Sequence, residues 1–202
     1  MFNFSLNEKF FSSIFYNFFL TDIFFFKFIN GFLLKKTCLY FFFTSFLLHF
    51  FVIFFKNSLI LKITALMDVF GVDLSLRISN LFEINYCFLN HIFSFRFFFK
   101  IHLSSFLPAP SISSYFPSSN WLEREVWDMF GIRFYLHDDL RRILTDYGFL
   151  GHVLCKNFPL VGYLEYRYDD IFKIIVAEPL SLSQSFRFFK FVNPWFKWKA
   201  YD

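Results

Sequence analysis

Small residues are scarce in this sequence, with four Ala, six Gly and six Pro among 202 positions. That scarcity excludes collagen-like and Gly/Pro-rich disordered chains. Only three cysteines are present, Cys38, Cys87 and Cys155, far apart and without CxxC spacing. The chain by itself therefore offers no zinc, iron–sulfur or disulfide framework. Charge is thin, at 18% of residues and net +4, and no basic stripe interleaves with aromatics, which argues against nucleic acid. No Arg precedes Arg77, so an imported presequence is not expected. Asn17 and Asp22 break the Phe-rich start and make a poor secretory signal. A Gly-rich phosphate loop, a Ser/His/Asp arrangement and a nucleophilic Cys/His pair are all missing.

Phenylalanine fills the space, at 40 of 202 residues in a chain that is 56% hydrophobic. This length suits one domain, with or without a tail, and supplies enough apolar surface for a real core. A mean hydropathy of +0.46 also raises the question of membrane spans. Phe has T-rich codons, whereas Ala, Gly and Pro have GC-rich ones. The imbalance points to an AT-biased gene, as in an organelle, with Phe standing in for other apolar residues. A GC-rich gene would refute this.

The chain divides unevenly. Residues 1–117 hold 30 of the 40 Phe with nine basic and five acidic residues, and residues 118–202 hold ten Phe with eleven of each charge. A Ser/Pro-rich connector at 104–120 separates them. Residues 37–55 carry no Asp, Glu, Lys or Arg. As one helix they would extend about 28 Å, close to the thickness of a bilayer core. The alternative is a buried strand at 38–43, a break and helix cap at Thr44 and Ser45, and a short buried helix over 46–55 closed near Asn57. Periodicity leaves both open.

Downstream the pattern is β. Phe82, Ile84, Tyr86 and Phe88 alternate with Glu83, Asn85 and Cys87, and a turn near Asn90 and His91 leads into Phe93, Phe95, Phe97, Phe99 and Ile101 in alternation. This predicts a hairpin with one buried face. Another strand is expected over 59–64, and a second pair over 163–168 and 172–177 around Asp169 and Asp170. Charges inside these strands (Arg96, Lys100, Glu165, Arg167) suit a soluble α+β sheet with one wet face.

Residues 118–131 predict one short helix. Asn120 is the expected N-cap, Glu123 closes a capping box, and Gly131 supplies a left-handed C-terminal cap. Leu122, Val126, Met129 and Phe130 make its apolar stripe, with Arg124 able to reach Asp128 at i+4. Residues 134–162 lack clear periodicity, and ordered loops this long are usually functional or held by a partner.

The run 120–131, then His137, Asp139, Leu140, Arg141, Arg142, Ile143, Leu144, Thr145, Asp146, Tyr147, Gly148 and Phe149, resembles the 30 kDa subunit family of respiratory complex I. Gly151, His152, Lys156, Phe158, Pro159, Leu160, Gly162, Glu165, Arg167, Tyr168 and Asp169 continue the match, which is strong over 121–179 and weak upstream. Asp138, Val153, Cys155 and Asn157 depart from the usual Pro, Pro, basic residue and Asp, which bears on loop conformation and one or two salt bridges.

The resemblance implies a two-layer α+β sandwich, a mixed sheet with short helices, followed by a long loop-rich C-terminal segment wrapped on a neighbour. Three segments are expected: a Phe-rich extension at 1–35, the α+β core at 36–117, and the motif region with terminal strands and tail at 118–202. It further implies a structural subunit in the quinone-reducing module of the peripheral arm, on the matrix side of the mitochondrial inner membrane. The implied partners are the 49 kDa quinone-site subunit and ferredoxin-like iron–sulfur subunits. FMN, iron–sulfur clusters and ubiquinone would belong to the assembly, with none bound by this chain and no catalytic or metal residue in it. The implied interface comprises Trp121, Glu123, Arg124, Glu125, Asp128, Gly131, His137, Asp139, Arg141, Arg142, Asp146, Tyr147, Gly148, Gly151, His152, Phe158, Pro159 and Gly162. The rival readings are a membrane protein spanning at 37–55 and the homologous subunit of a membrane-bound hydrogenase.

Blander readings compete at single residues. Glu123, Glu125 and Asp128 read as caps and ion pairs, since a di-metal site would need matching Glu and His from other helices. His152 with Cys155, and His137 beside Asp138 and Asp139, fall short of a ligand set. Arg141 and Arg142 suit forked pairing with Asp139, Asp146 or a partner carboxylate better than phosphate binding.

Overall fold

The computed structural model describes residues 29–35, 38–58, 62–75, 81–92, 94–104, 107–182 and 187. Five strands, β1 (Ile29–Lys35), β2 (Cys38–Phe43), β3 (Ala65–Asp73), β4 (Leu81–Asn90) and β5 (Phe95–Ser104), form one mixed sheet in the order β1-β2-β5-β4-β3. Only β2 and β5 run parallel, Cys38 facing Arg96 through Phe43 facing Ile101. The predicted hairpin is β4–β5, with Tyr86 opposite Phe99 and Phe88 opposite Phe97.

The charge-free run resolves into β2, a 3-10 turn at Ser45–Leu47 and a ten-residue helix α1 (Leu48–Asn57), whose N-cap position is Leu47, so the cap expected from Thr44 and Ser45 is not formed. Among the described residues no helix is long and apolar enough to cross a membrane, so the spanning reading of 37–55 is not supported. Helix α1 turns Leu48, Phe51, Val52 and Phe55 into the core against Leu39 and Phe41 of β2, Ile84, Tyr86 and Phe88 of β4, and Phe97, Phe99 and Ile101 of β5. Phe55 meets Phe41, Phe97 and Phe99 edge-on at 5.3, 5.7 and 5.1 Å between ring centres. Such contacts add roughly 0.5–1.5 kcal/mol per pair beyond burial alone.

The other sheet face is partly polar. Glu83 accepts from Lys100 and Asn85 at 2.9 Å each and lies 3.0 Å from His102. Burial opposes its charge, but these donors hold its carboxyl below the usual range.

Two sequence expectations need correction. Residues 62–64 are not strand, residues 59–61 lie outside those described, and the strand begins at Ala65. A bulge between Leu66 and Asp68 shifts the inward set to Leu66 and Val69, three apart, which hides the period-two pattern. Residues 29–35 of the supposed extension are an ordered strand beside β2; residues 1–28 lie outside those described.

Beyond the sheet, β6 (Ala109–Pro110) pairs in parallel with β7 (Phe134–Tyr135), flanking helix α2 (Ser119–Phe130). Ile112, Phe116, Val126, Ile132 and Phe134 join the same core. By compactness the chain divides between Lys156 and Asn157, because α2 lies along β3 and the loop after it is tied to both. The second unit contains an antiparallel hairpin, β8 (Leu164–Asp169) and β9 (Ile174–Pro179), close to the predicted pair. Its turn is held by Asp169, which accepts from the Ile171 N–H at 2.9 Å, and Arg167 pairs with Glu178 across the strands at 2.8 Å.

Candidate functional site

Helix α2 starts at Ser119 and has no side-chain cap. Its first N–H groups are met by backbone instead, Ser119 donating to Phe116 and Asn120 to Pro117. Asn120 is therefore inside the helix, and Glu123 does not close a capping box. The Glu123 side chain is fully buried and accepts from the Ser111 hydroxyl at 2.5 Å and the Ile112 N–H at 2.9 Å. Burial pushes its carboxyl up, against the pull of those two donors. The C-terminal expectation fares better: Gly131 adopts φ +76° and donates to the Trp127 carbonyl.

Arg124 and Asp128 do not pair with each other. Both reach the loop that follows, in complementary ways. Arg124 donates to the carbonyls of Arg141 and Arg142 at 3.1 and 3.3 Å. Asp128, fully buried, accepts from the N–H groups of Leu144 and Thr145 at 2.8 Å each, from Ile143 at 3.3 Å and from the Thr145 hydroxyl at 2.6 Å. Burial opposes the Asp128 charge, yet these donors overcome it and hold the carboxyl below the usual range. Arg142 spans the same loop, donating to Thr145 Oγ1 at 3.2 Å and the Gly151 carbonyl at 2.8 Å, 3.6 Å from Asp128.

The far end of the loop closes the helix. His152 Nδ1 lies 3.0 Å from the Asp128 carbonyl, the Leu154 N–H donates to Met129 at 3.0 Å, and the Cys155 thiol donates to Phe130 at 3.3 Å. Three carbonyls that α2 leaves open thus find partners. A side chain at Gly131 would meet the His152 ring at 2.6 Å, so this position needs glycine for room as well as for its positive φ. Lys156 N–H then donates to buried Asp73 at 2.7 Å, tying the loop to the end of β3. Burial disfavours the Asp73 charge, but the Lys156 and Ser75 donors outweigh it and lower its carboxyl. At Gly71, the Phe130 ring occupies the place a Cβ would take, 2.8 Å away.

His137 accepts from the Asp139 N–H at Nδ1, 3.2 Å away, so Nε2 is free to donate to the Asn120 carbonyl, also at 3.2 Å. Arg141 pairs with Asp139 at 2.8 Å on the surface. Asp146 accepts from the neighbouring Tyr147 N–H and supports a turn closed by Phe149 N–H, with Gly148 at φ +72°. Glu125 is exposed. Trp121 is exposed as well, with the Arg124 guanidinium 5.9 Å from its ring centre. In the second unit, Gly162 donates to Pro159 at φ +76° and Phe158 meets Tyr163 edge-on.

The outcome is a loop pinned from inside that shows apolar side chains outside. Leu136, Leu144, Leu150 and Leu154 are exposed, and Tyr147 is fully so. Among the described residues no group of three or more His, Cys, Asp or Glu is placed to hold a metal. Sequence reasoning missed Asp73, Gly71 and Ser111, which lie far from the motif in sequence and carry no local signal. Thr145 sat within the motif, but its role shows only once Asp128 is seen beneath it.

Comparison with known proteins bears on the same residues. The family described as "Respiratory-chain NADH dehydrogenase, 30 Kd subunit" matches residues 47–164. The chain is 50% identical over 144 residues to "NADH-ubiquinone oxidoreductase subunit 9" of Acanthamoeba castellanii, covering 71% of this chain and 72% of that one. It is 46% identical over 142 residues to "NADH dehydrogenase [ubiquinone] iron-sulfur protein 3" of Arabidopsis thaliana, covering 70% and 74%. A chain of an archaeal membrane-bound sulfane sulfur reductase shares the fold, with a TM-score of 0.52 at 20% identity over 59% of this chain and 71% of that one. With more than half its length under the family match and the motif loop inside it, the chain belongs to the 30 kDa subunit family of respiratory-chain NADH dehydrogenase.

Proposed function

We propose that this subunit of NADH:ubiquinone oxidoreductase is structural and non-catalytic. It works in the quinone-reducing module of the peripheral arm, on the matrix side of the mitochondrial inner membrane. Its partners there are the 49 kDa quinone-site subunit and the ferredoxin-like iron–sulfur subunits. FMN, the iron–sulfur clusters and ubiquinone are carried by the assembly, and this chain binds none of them.

The observation that carries this reading is the loop at 137–156. Its backbone is hydrogen-bonded to α2 and β3, while Leu144, Tyr147 and Leu150 stand in solvent beside exposed Arg141. Rigid exposed apolar groups flanked by a guanidinium suit a protein interface, where pre-ordering lowers the cost of association. The motif residues from Trp121 to Gly162 are read as that interface and its supports. Relatives at 46–50% identity named for NADH oxidation favour this assembly over a membrane-bound hydrogenase.

Arg141→Ala or Asp146→Ala is expected to lower the amount of assembled peripheral arm severalfold, with turnover per assembled complex little changed. Native gels with mass spectrometry measure the first and NADH:quinone activity the second. Normal assembly with dead turnover would place chemistry in this chain. Migration of the subunit apart from the flavin and quinone-site subunits would remove the proposed partners.

A further inference from the structure

Glu123 stands out against the rest of α2. Its carboxyl is inaccessible to solvent, and among the described residues no Lys or Arg lies within ion-pair distance. The nearest ionisable base is His137, also inaccessible, with Nε2 3.9 Å from Oε2. Its Nδ1 accepts the Asp139 N–H, and its Nε2 faces the Asn120 carbonyl at 3.2 Å. Polar neighbours complete the surroundings. Ser111 and Ile112 follow β6, and His49 of α1 reaches the Ser111 carbonyl at 2.6 Å. Tyr86 of β4 has its buried hydroxyl 3.5 Å from the Pro110 carbonyl, and Tyr135 of β7 lies beside His49. None of these supplies a fixed positive charge.

We propose that Glu123 is a buried proton-binding group whose occupancy sets how firmly residues 137–139 are seated on α2. When protonated, Glu123 donates from Oε2 to Ser111 Oγ across 2.5 Å, and the Ser111 O–H turns to donate a hydrogen bond to Ser113 Oγ at 2.9 Å. Oε1 still accepts the Ile112 N–H. When the proton leaves, the buried carboxylate has the Ser111 hydroxyl and the Ile112 N–H as donors but no cation, and the His137 Nε2–H, 3.9 Å from Oε2, is drawn toward it and away from the Asn120 carbonyl. The same ring accepts the Asp139 N–H at Nδ1, so its movement disturbs that bond as well. That movement loosens the start of the motif loop.

The folded chain therefore holds this proton more tightly than the unfolded one. Stability from Glu123 is greatest below the ordinary glutamate value and is lost as pH rises through the higher folded value. Glu123→Gln mimics the protonated state, keeping an acceptor for Ile112 and a donor for Ser111. The test is thermal release of the subunit from the assembled complex, followed on native gels from about pH 5.5 to about 8.5. The wild-type release temperature should fall with rising pH relative to Glu123→Gln, so that the two curves diverge toward the alkaline end. Parallel curves would overturn the proposal. Should Glu123→Gln fail to assemble, hydrogen exchange at the Asp139 amide of the wild-type complex decides. Corrected for intrinsic chemistry, its rate should rise by about threefold or more toward high pH, and a constant rate would overturn the proposal.

Discussion

Between α1 and the sheet, Phe41, Phe55, Phe97 and Phe99 meet ring against ring, whereas α2 holds residues 137–156 by hydrogen bonds to particular backbone atoms. The first kind of contact depends mainly on shape and volume, with a smaller contribution from ring geometry, and tolerates apolar side chains of similar size. The second requires a donor or acceptor at one place, and a missing partner leaves a buried polar group unpaired. The difference explains how the chain tolerates so much phenylalanine. Phe collects where shape and volume suffice and thins out where Asp128, Arg142 or Gly131 has a specific task.

Substitution can break that comparison. The largest effect is expected at Asp128→Ala, which strips the acceptor from Leu144, Thr145 and the Thr145 hydroxyl together. A loss of about 3 kcal/mol or more is expected, read as depletion of the subunit from the complex and rapid amide exchange at 143–145. Acid should act on the wild type in the same direction. Because the Asp128 carboxyl is lowered in the fold, its contribution is complete above the ordinary aspartate value and lost as pH falls through the lower folded one. Retained protection at 143–145 in strong acid would contradict this. Gly131→Ala should come second, at about 1–3 kcal/mol, since the new Cβ meets the His152 ring at a positive φ. Thermal stability of the complex gives the size, and loss of protection at the Leu154 amide gives the location. Phe97→Leu should cost least, about 1 kcal/mol, in the same thermal assay. If Phe97→Leu proved as damaging as Asp128→Ala, the contrast between the regions would fail.

The sequence foretold the parts built on period and punctuation. Alternation at Ile84, Tyr86 and Phe88 against Phe95, Phe97 and Phe99 predicted the central hairpin, and Gly131 marked the end of α2. Thr44 and Ser45 marked the break that splits the charge-free run into strand and helix. Features that depend on long-range pairing stayed hidden. The bulge at Leu66 disguised β3, and strand 29–35 looked like an extension because its partner is read only in the sheet. At the site, the residues of the motif were visible but their partners were not. Glu123 has the spacing of a capping box, yet its carboxyl faces Ser111, and Arg124 and Asp128 have the spacing of an ion pair while each serves the loop. Local spacing proposes local partners, and tertiary packing overrode it at each of these positions.

Helix α2 ends at Phe130, but the groups that cap its last carbonyls arrive with His152, Leu154 and Cys155. During synthesis, then, a stretch of about 25 residues must emerge after the helix before its end can be completed, and about one more before Lys156 reaches Asp73. Until that moment α2 is an unfinished element with open carbonyls beside a sheet already able to form. The motif loop is thus the last piece of the first unit to be installed, and a ribosome that stalls before residue 156 would leave the helix without its end.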